Sequence, residues 1–550
     1  MWHHKHSVNL ILLNGDFRTQ DPAYPRARAV AIGAGRIMAV GDNNEIKPLA
    51  DSDTEVIDLR GRLSIPGMTD CHFHYYDWAL GRRNLKLSDT ISLNDLMGHV
   101  SQVSGSTAAG GWILGQGWNE VGWPEGLMPT RDDLDAVAPA HPVFLLRSDL
   151  HLAVVNSLAL ELAQINEQTP DPPEGIIARD QSGRPNGILR DLAINLVKNI
   201  ITNPNEDEIV DAMVDGIPVL HSFGITGIHD LRLMGGIEGA SAFGAWQRLR
   251  EAGNLNLRCW VSIPGERLDE AIALGLRTGF GDERLRVGHL KFFTDGAMGS
   301  RTAWLTEPYL DADCGIPLTP IKEIAEAIDR AEKAGLSVAV HAIGDRANRE
   351  VVTIFEKQQE ARKGDKRPVH AQLGIPHRIE HVQMILPEDL TRMARLGLVA
   401  CVQPIHIIDD MSMIETAIGS RAKWGYQFRD MLDVGIPLIF SSDCPVADPN
   451  PLRGIHAAVT RQRRDGTPPE GWYPSQRITV QEAVWGYTMA PAIASGQEKV
   501  LGSITPGKRA DIVILDRDIF AIDPMEIADV KVDLTIFDGR VVFQRQSLQV

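Results

Sequence analysis

One unit recurs through the middle of this chain: an amphipathic helix, a glycine, then an apolar run of strand length. It is seen at 219–224 before 225–229 and at 331–335 before 336–341. It returns at 393–397 before 398–403 and at 431–435 before 436–441. Helices closed by glycine and followed at once by buried strands mark parallel βα units. Eight apolar strand candidates follow from the same pattern: 63–74, 224–230, 257–263, 285–295, 336–341, 377–382, 398–403 and 436–443. Eight parallel strands alternating with helices predict an α/β fold of the (β/α)8 TIM-like barrel type, with a doubly wound open sheet as the alternative.

The two ends have a different texture. Short strands bounded by turn pairs occupy 8–14, 27–33, 36–40 and 55–59, and again 510–515, 533–538 and 540–543. They predict a composite β-sandwich built from both termini, residues 1–64 and 491–550, around a barrel spanning 65–490. About 150 residues separate the first two barrel strands, where a βα unit needs a few tens. Residues 80–215 therefore read as an insertion carrying Trp112, Trp118 and Trp123, expected at the C-terminal face of the barrel.

Composition narrows the function. Of 550 residues, 43% are hydrophobic and 23% charged, which fits a soluble protein with a sizeable core and excludes a disordered chain. The net charge of −17, with no basic stripe, argues against nucleic acid as a partner. No run approaches the ~20 apolar residues of a membrane span, and the apolar stretch 8–13 is too short for a signal peptide. Five cysteines (Cys71, Cys259, Cys314, Cys401, Cys444) do not suggest a disulfide framework and favour a reducing cytoplasm.

The chemistry lies in polar residues that interrupt the strand ends. His72 and His74 close the first strand, and period-2 alternation turns both imidazoles to one side. Lys291 lies in the fourth strand, His341 ends the fifth, His381 the sixth and Asp443 the eighth. Taken singly, each could be a satisfied core group. Six candidate ligands at one end of five strands point to a metal site, for which imidazole and carboxylate suit Zn²⁺, with Mn²⁺, Fe²⁺, Co²⁺ or Ni²⁺ also compatible. An ammonium cannot ligate a cation, so Lys291 joins such a site only if neutral or carboxylated; otherwise it pairs with a carboxylate such as Asp295. His229, a substrate-contact candidate, and Asp230 end the second strand. Arg301, Trp304 and Arg346 are mouth candidates, His151 and Trp118 are substrate-contact candidates from the insertion, and His3, His4 and His6 read as a solvent-exposed end.

These residues resemble the amidohydrolase superfamily, and within it the amidohydrolase family 3 branch of YtcJ-like proteins and N-substituted formamide deformylases. The likeness runs through residues 65–74, 141–143 with His151 and 156–157, 187–191, 291–296, 341–345, 378–381, 441–445 and 506–511. Asp191 stands where a Glu is more usual, and no role is assigned to it. The resemblance implies a one- or two-metal hydrolase. His72, His74 and Asp443 would hold the more buried ion, His341 and His381 the second, and a carbamylated Lys291 would bridge them. It implies a metal-activated water attacking a carbonyl carbon, with Asp443 as general base and acid. The expected substrate is a small amide, N-substituted formamide or cyclic amide. Hydrolysis of an ester, lactone or carbamate, or a non-catalytic regulatory role on the same barrel, is the alternative. A homodimer is compatible with the chain.

Overall fold

The computed structural model describes residues 8–108, 110–120, 123–147, 152–172, 175–191, 193–201, 204–232, 239–361 and 374–545. His3, His4, His6 and His151 lie outside the described residues. Two compact units form: residues 1–75 with 214–550, and residues 76–213.

In the first unit, eight parallel strands pair in sequence order: β1 (Met68–Phe73), β2 (Ile225–Asp230), β3 (Arg258–Pro264), β4 (Leu285–Phe293), β5 (Val338–Ala342), β6 (Arg378–His381), β7 (Val399–Val402) and β8 (Leu438–Phe440). They are apolar because each is covered on both faces, and β2, β6, β7 and β8 are buried throughout. The helix Pro387–Leu396 shows how the recurring unit works. Gly397 caps it in the left-handed region at φ 66°, and the chain turns directly into β7. The seam between β8 and β1 is drawn shut by backbone bonds. Asp443 N–H donates to His72 O at 2.9 Å, and His74 N–H to Cys444 O at 2.8 Å.

The expected single strand 63–74 is two strands. Leu63–Pro66 pairs antiparallel with Ile512–Leu515 in a terminal sheet, and the barrel begins only at Met68. Gly67 makes the transfer. Its N–H donates to Asp511 O, and any Cβ placed there would stand 2.2 Å from Thr226 Oγ1. The six-stranded sheet holding Leu63–Pro66 mixes strands from both ends of the chain, and faces a four-stranded sheet from the N-terminal residues alone. Leu10, Phe17, Val30, Ile512, Ile514 and Ile536 share the core between them. Two chain ends thus bury one apolar surface that neither could cover alone.

The second unit has a six-stranded mixed sheet. It includes Ile113–Trp118 parallel to Val143–Arg147, with Leu152–Val155 antiparallel to the latter. Leu96, Trp118, Leu134, Val143 and Val154 lie in its buried core. Among the described residues no helix is long and apolar enough to cross a membrane.

Candidate metal centre

Closing the seam brings the two histidines of β1 against the residue that follows β8. Asp70, two residues before His72, accepts from Ser442 Oγ at 2.6 Å and from Ser442 N–H. That grip fixes the turn in which Asp443 adopts φ 62°, a left-handed conformation that aspartate tolerates better than bulkier residues. The result is close convergence. Asp443 Oδ1 lies 3.0 Å from His74 Nε2 and 3.3 Å from His72 Nε2.

β6 adds the next ligand candidate. One nitrogen each from His72 and His381 and one oxygen of Asp443 lie within 4.8 Å of one another, all buried. The ring centroids of His72 and His381 are 5.0 Å apart, and those of His381 and His341 are 4.5 Å apart. His341 Nε2 is engaged with Gly296 O at 3.2 Å. Lys291 is 1% exposed, and its Nζ has no hydrogen-bond partner among the described residues; it lies 4.7 Å from the centroid of the Phe293 ring.

The partners behind the imidazoles assign their tautomers. His72 Nδ1 faces Glu380 Oε2 at 2.7 Å, His74 Nδ1 faces Leu231 O at 3.0 Å, and His381 Nδ1 faces Gln403 Oε1 at 2.8 Å. Each of these oxygens only accepts, so each Nδ1 carries a proton, and a ring that is neutral keeps its lone pair on Nε2. Gln403 is oriented in turn by donating to Ser441 Oγ at 3.0 Å. Glu380 is held by Arg378, whose Nε donates to it at 2.5 Å while its Nη2 and Nη1 donate to Cys71 O and His229 Nδ1 at 2.7 Å.

Electrostatics favour the same states. Burial, then the charge of Lys291, pushes His72 down to about 4 and His341 to about 3, so both imidazoles are neutral at pH 7. Burial and the nearby His341 hold His381 well below the usual range. Burial alone would raise Asp443, but His72, His74 and His381 hold it well below the carboxylate range. Burial brings Lys291 down to about 8 against the opposing pull of Glu380 and Asp443.

Neutral imidazoles facing an ionised carboxylate pose a problem. His72 Nε2, with its ring proton on the side of Glu380, and Asp443 Oδ1 are both acceptors, yet stand 3.3 Å apart. Two lone pairs at 3.3 Å need a positive charge between or beside them. The buried donor set of His72, His381 and Asp443, with His74 alongside, fits a divalent transition-metal ion.

The remaining candidates are placed differently. His229 is buried and accepts from Arg378, beneath the centre rather than at a mouth. Arg301 is paired with Asp311 at 2.9 Å, and Arg346 is exposed with its guanidinium 4.5 Å from the centroid of the Trp304 ring. Asp295 does not pair with Lys291: it accepts from Ile343, Gly344 and Trp304 N–H, and burial lifts its carboxyl to about 7. Trp118 corrects the substrate-contact expectation. It is fully buried in the core of its own unit, with its indole N–H donated to Leu145 O at 3.1 Å, and presents no face to a ligand. The sequence reading missed Gln403 and gave Arg378 no role, although the alternation of Arg378 and Glu380 within an apolar strand places two charges on one face and signals a buried pair.

Known proteins share this arrangement of elements. A model of the amidohydrolase family matches residues 55–543. Protein LONG AFTER FAR-RED 3 of Arabidopsis thaliana is 33% identical over 523 residues, 92% of this chain and 87% of that protein. The N-substituted formamide deformylase of Arthrobacter pascens is 29% identical over 98% of both chains. An uncharacterized metal-dependent hydrolase from Pyrococcus horikoshii has a crystal structure that superposes with a TM-score of 0.77 at 27% identity, covering 94% of this chain and 99% of the other. With the family model matching most of the chain over the barrel and its terminal sheets, this chain belongs to the amidohydrolase family.

Proposed function

We propose that this protein is a metal-dependent hydrolase that cleaves the C–N bond of a small amide, N-substituted formamide or cyclic amide. The observation that carries this reading is the pair of facing acceptors, His72 Nε2 and Asp443 Oδ1, 3.3 Å apart in a buried cluster. His72, His74 and Asp443 would hold one divalent cation, zinc by the chemistry of the donors, and His341 and His381 a second. When bound, the cation lowers the pKa of a water and polarises the scissile carbonyl. By combining with CO₂ and losing one proton, the Lys291 amine would become a carbamate, a residue able to offer oxygen ligands in place of an ammonium. Its buried, unpartnered Nζ supports this role.

The chain's own groups then manage protons. Asp443 takes a proton from the attacking water and delivers it to the leaving nitrogen, which departs as a neutral amine. Glu380 keeps the proton of His72 on Nδ1, and Gln403 does the same for His381, so neither ring turns its N–H toward the reacting atoms. The choice of a C–N bond is supported by the formamide deformylase, alike over 98% of both chains.

The test is amine release by zinc-loaded protein across N-substituted formamides, N-acyl amines and hydantoin-like rings. Turnover that chelator abolishes and zinc restores is expected. Faster turnover of an ester or lactone than of any amide would move the assignment to C–O bonds, and no turnover of any substrate by fully metallated protein would remove it.

A further inference from the structure

At the end of the barrel opposite His72 and His74 lies a polar cavity. It is bounded by the starts of the strands: Arg258 opens β3, and Glu283, Arg284 and Arg286 flank the first residue of β4. Arg509 and Asp511, from the segment leading into Ile512–Leu515, complete it. Its volume is about 40 Å³, room for roughly three waters at ~10–15 Å³ each.

The charges around it do not balance. Asp511 is taken up by Arg258, through Nε at 2.5 Å and Nη2 at 2.9 Å. Glu283 is shared between Arg36 at 2.8 Å and Arg509. Asp538, just behind, is shared by three guanidiniums: Arg258 at 3.3 Å, Arg284 at 2.7 Å and Arg509 at 2.9 Å. Arg286 has no ion pair among the described residues. Its Nε and Nη1 donate to the backbone oxygens of Asp282 and Gly279 at 2.9 and 3.2 Å. Counting Asp282, which faces Arg286 but is paired with Arg250 at 2.6 Å, six guanidiniums meet four carboxylates, and Arg509 Nε is buried with no hydrogen-bond partner among the described residues. Burial lowers both Arg286 and Arg509 from their ordinary values, against the pull of Asp282 on the first and of Asp538 on the second.

A chain with net charge −17 is not basic in general, so this surplus is local. Guanidinium forks match the oxygens of a tetrahedral oxyanion, and an excess cation removed from water is tolerated when a counter-charge joins it. The volume admits a free ion and leaves no room for a nucleotide. We propose that this basal cavity binds a small tetrahedral oxyanion, inorganic phosphate or sulfate. Barrel enzymes carry their chemistry at the opposite, C-terminal face, and the N-terminal face serves stability. The ion is therefore a structural or effector anion that clasps strand starts to the terminal sheet, and it takes no part in hydrolysis.

The test uses the full-length, metal-loaded protein. Calorimetric titration with inorganic phosphate at constant ionic strength should show one saturable site. Arg286→Gln should weaken it by roughly ten- to a hundredfold, the worth of a charge-assisted contact, while activity in phosphate-free buffer stays unchanged. Phosphate binding retained in Arg286→Gln would place the ion elsewhere, at the metal centre or the surface, and overturn the proposal. If Arg286→Gln does not fold, crystals of the unaltered protein soaked in tungstate decide the matter. An anomalous peak among Arg258, Arg284, Arg286 and Arg509 supports the site, and a peak only at other positions removes it.

Discussion

Glu380 Oε2 lies 2.7 Å from His72 Nδ1, although 308 residues separate the two in the chain. The contact commits the proton of His72 to the side away from Asp443, and Arg378 in turn prevents Glu380 from turning elsewhere. A ligand histidine whose far nitrogen is held by a carboxylate is oriented and made more basic.

Metal content follows from that relationship. Purified protein should carry one to two equivalents of transition metal, mostly zinc, and His72→Ala or His74→Ala should remove at least one. Glu380→Gln should keep the ligands but lower metal affinity or activity by ~10–100-fold. Elemental analysis of each variant beside the unaltered chain checks this; unchanged occupancy in His72→Ala would detach His72 from the site.

Lys291 separates a carbamate from a structural cation. Lys291→Ala should abolish turnover, and a short carboxylic acid should partly restore it by replacing the carbamate oxygens. Lys291→Arg should stay inactive, because a guanidinium keeps its charge and takes up no CO₂. Full activity in Lys291→Arg would show that only a positive charge is needed there.

Asp443→Asn preserves shape and one ligand oxygen while removing the proton acceptor. A fall in kcat of ~10²–10⁴-fold is expected, with KM little changed and metal largely retained. A kcat like that of the unaltered enzyme would pass the role of base to another carboxylate, with Asp295 and Glu380 next to be tested.

Trp118 should behave as a core residue. Trp118→Ala should destabilise by ~3–5 kcal/mol, the usual cost of emptying a large aromatic site. Thermal unfolding measures this loss. KM should move equally for bulky and small amides; a rise confined to bulky ones would return Trp118 to the substrate.

Acid should destabilise the metal-free chain. Burial lowers His221 to about 4 and His289 to about 3, and holds His229 well below its ordinary value, alongside His72, His341 and His381. Between pH 6.5 and 4 the unfolded chain takes up protons that the folded chain refuses, so stability is present above 6.5 and lost as pH falls. Asp70 and Asp295, raised to about 7, act in the opposite sense: their contribution is present below pH 3.8 and lost as pH rises through 7. Six imidazoles outweigh two carboxyls, so Tm of chelator-treated protein should drop from pH 7 to 4.5. A Tm that rises over that interval would give the two carboxyls the larger share.

The sequence by itself determined the barrel and the residues at its strand ends. Glycine-closed helices before apolar runs, and His72, His74, His381 and Asp443 at strand termini, are local patterns with short periods, legible without the rest of the molecule. What only the tertiary structure decided depends on groups distant in sequence. The break of 63–74 at Gly67 follows from Thr226, some 160 residues on, which leaves no room for a side chain there. The pairing of Glu380 with His72 and of Gln403 with His381 exists only once the barrel closes. Trp118 looked like a substrate contact because tryptophans and glycines interleave there, a pattern shared by a pocket wall and a small core. The fold settles it by burying the indole, since a large apolar ring is more stable packed against Leu96 and Val143 than left in water.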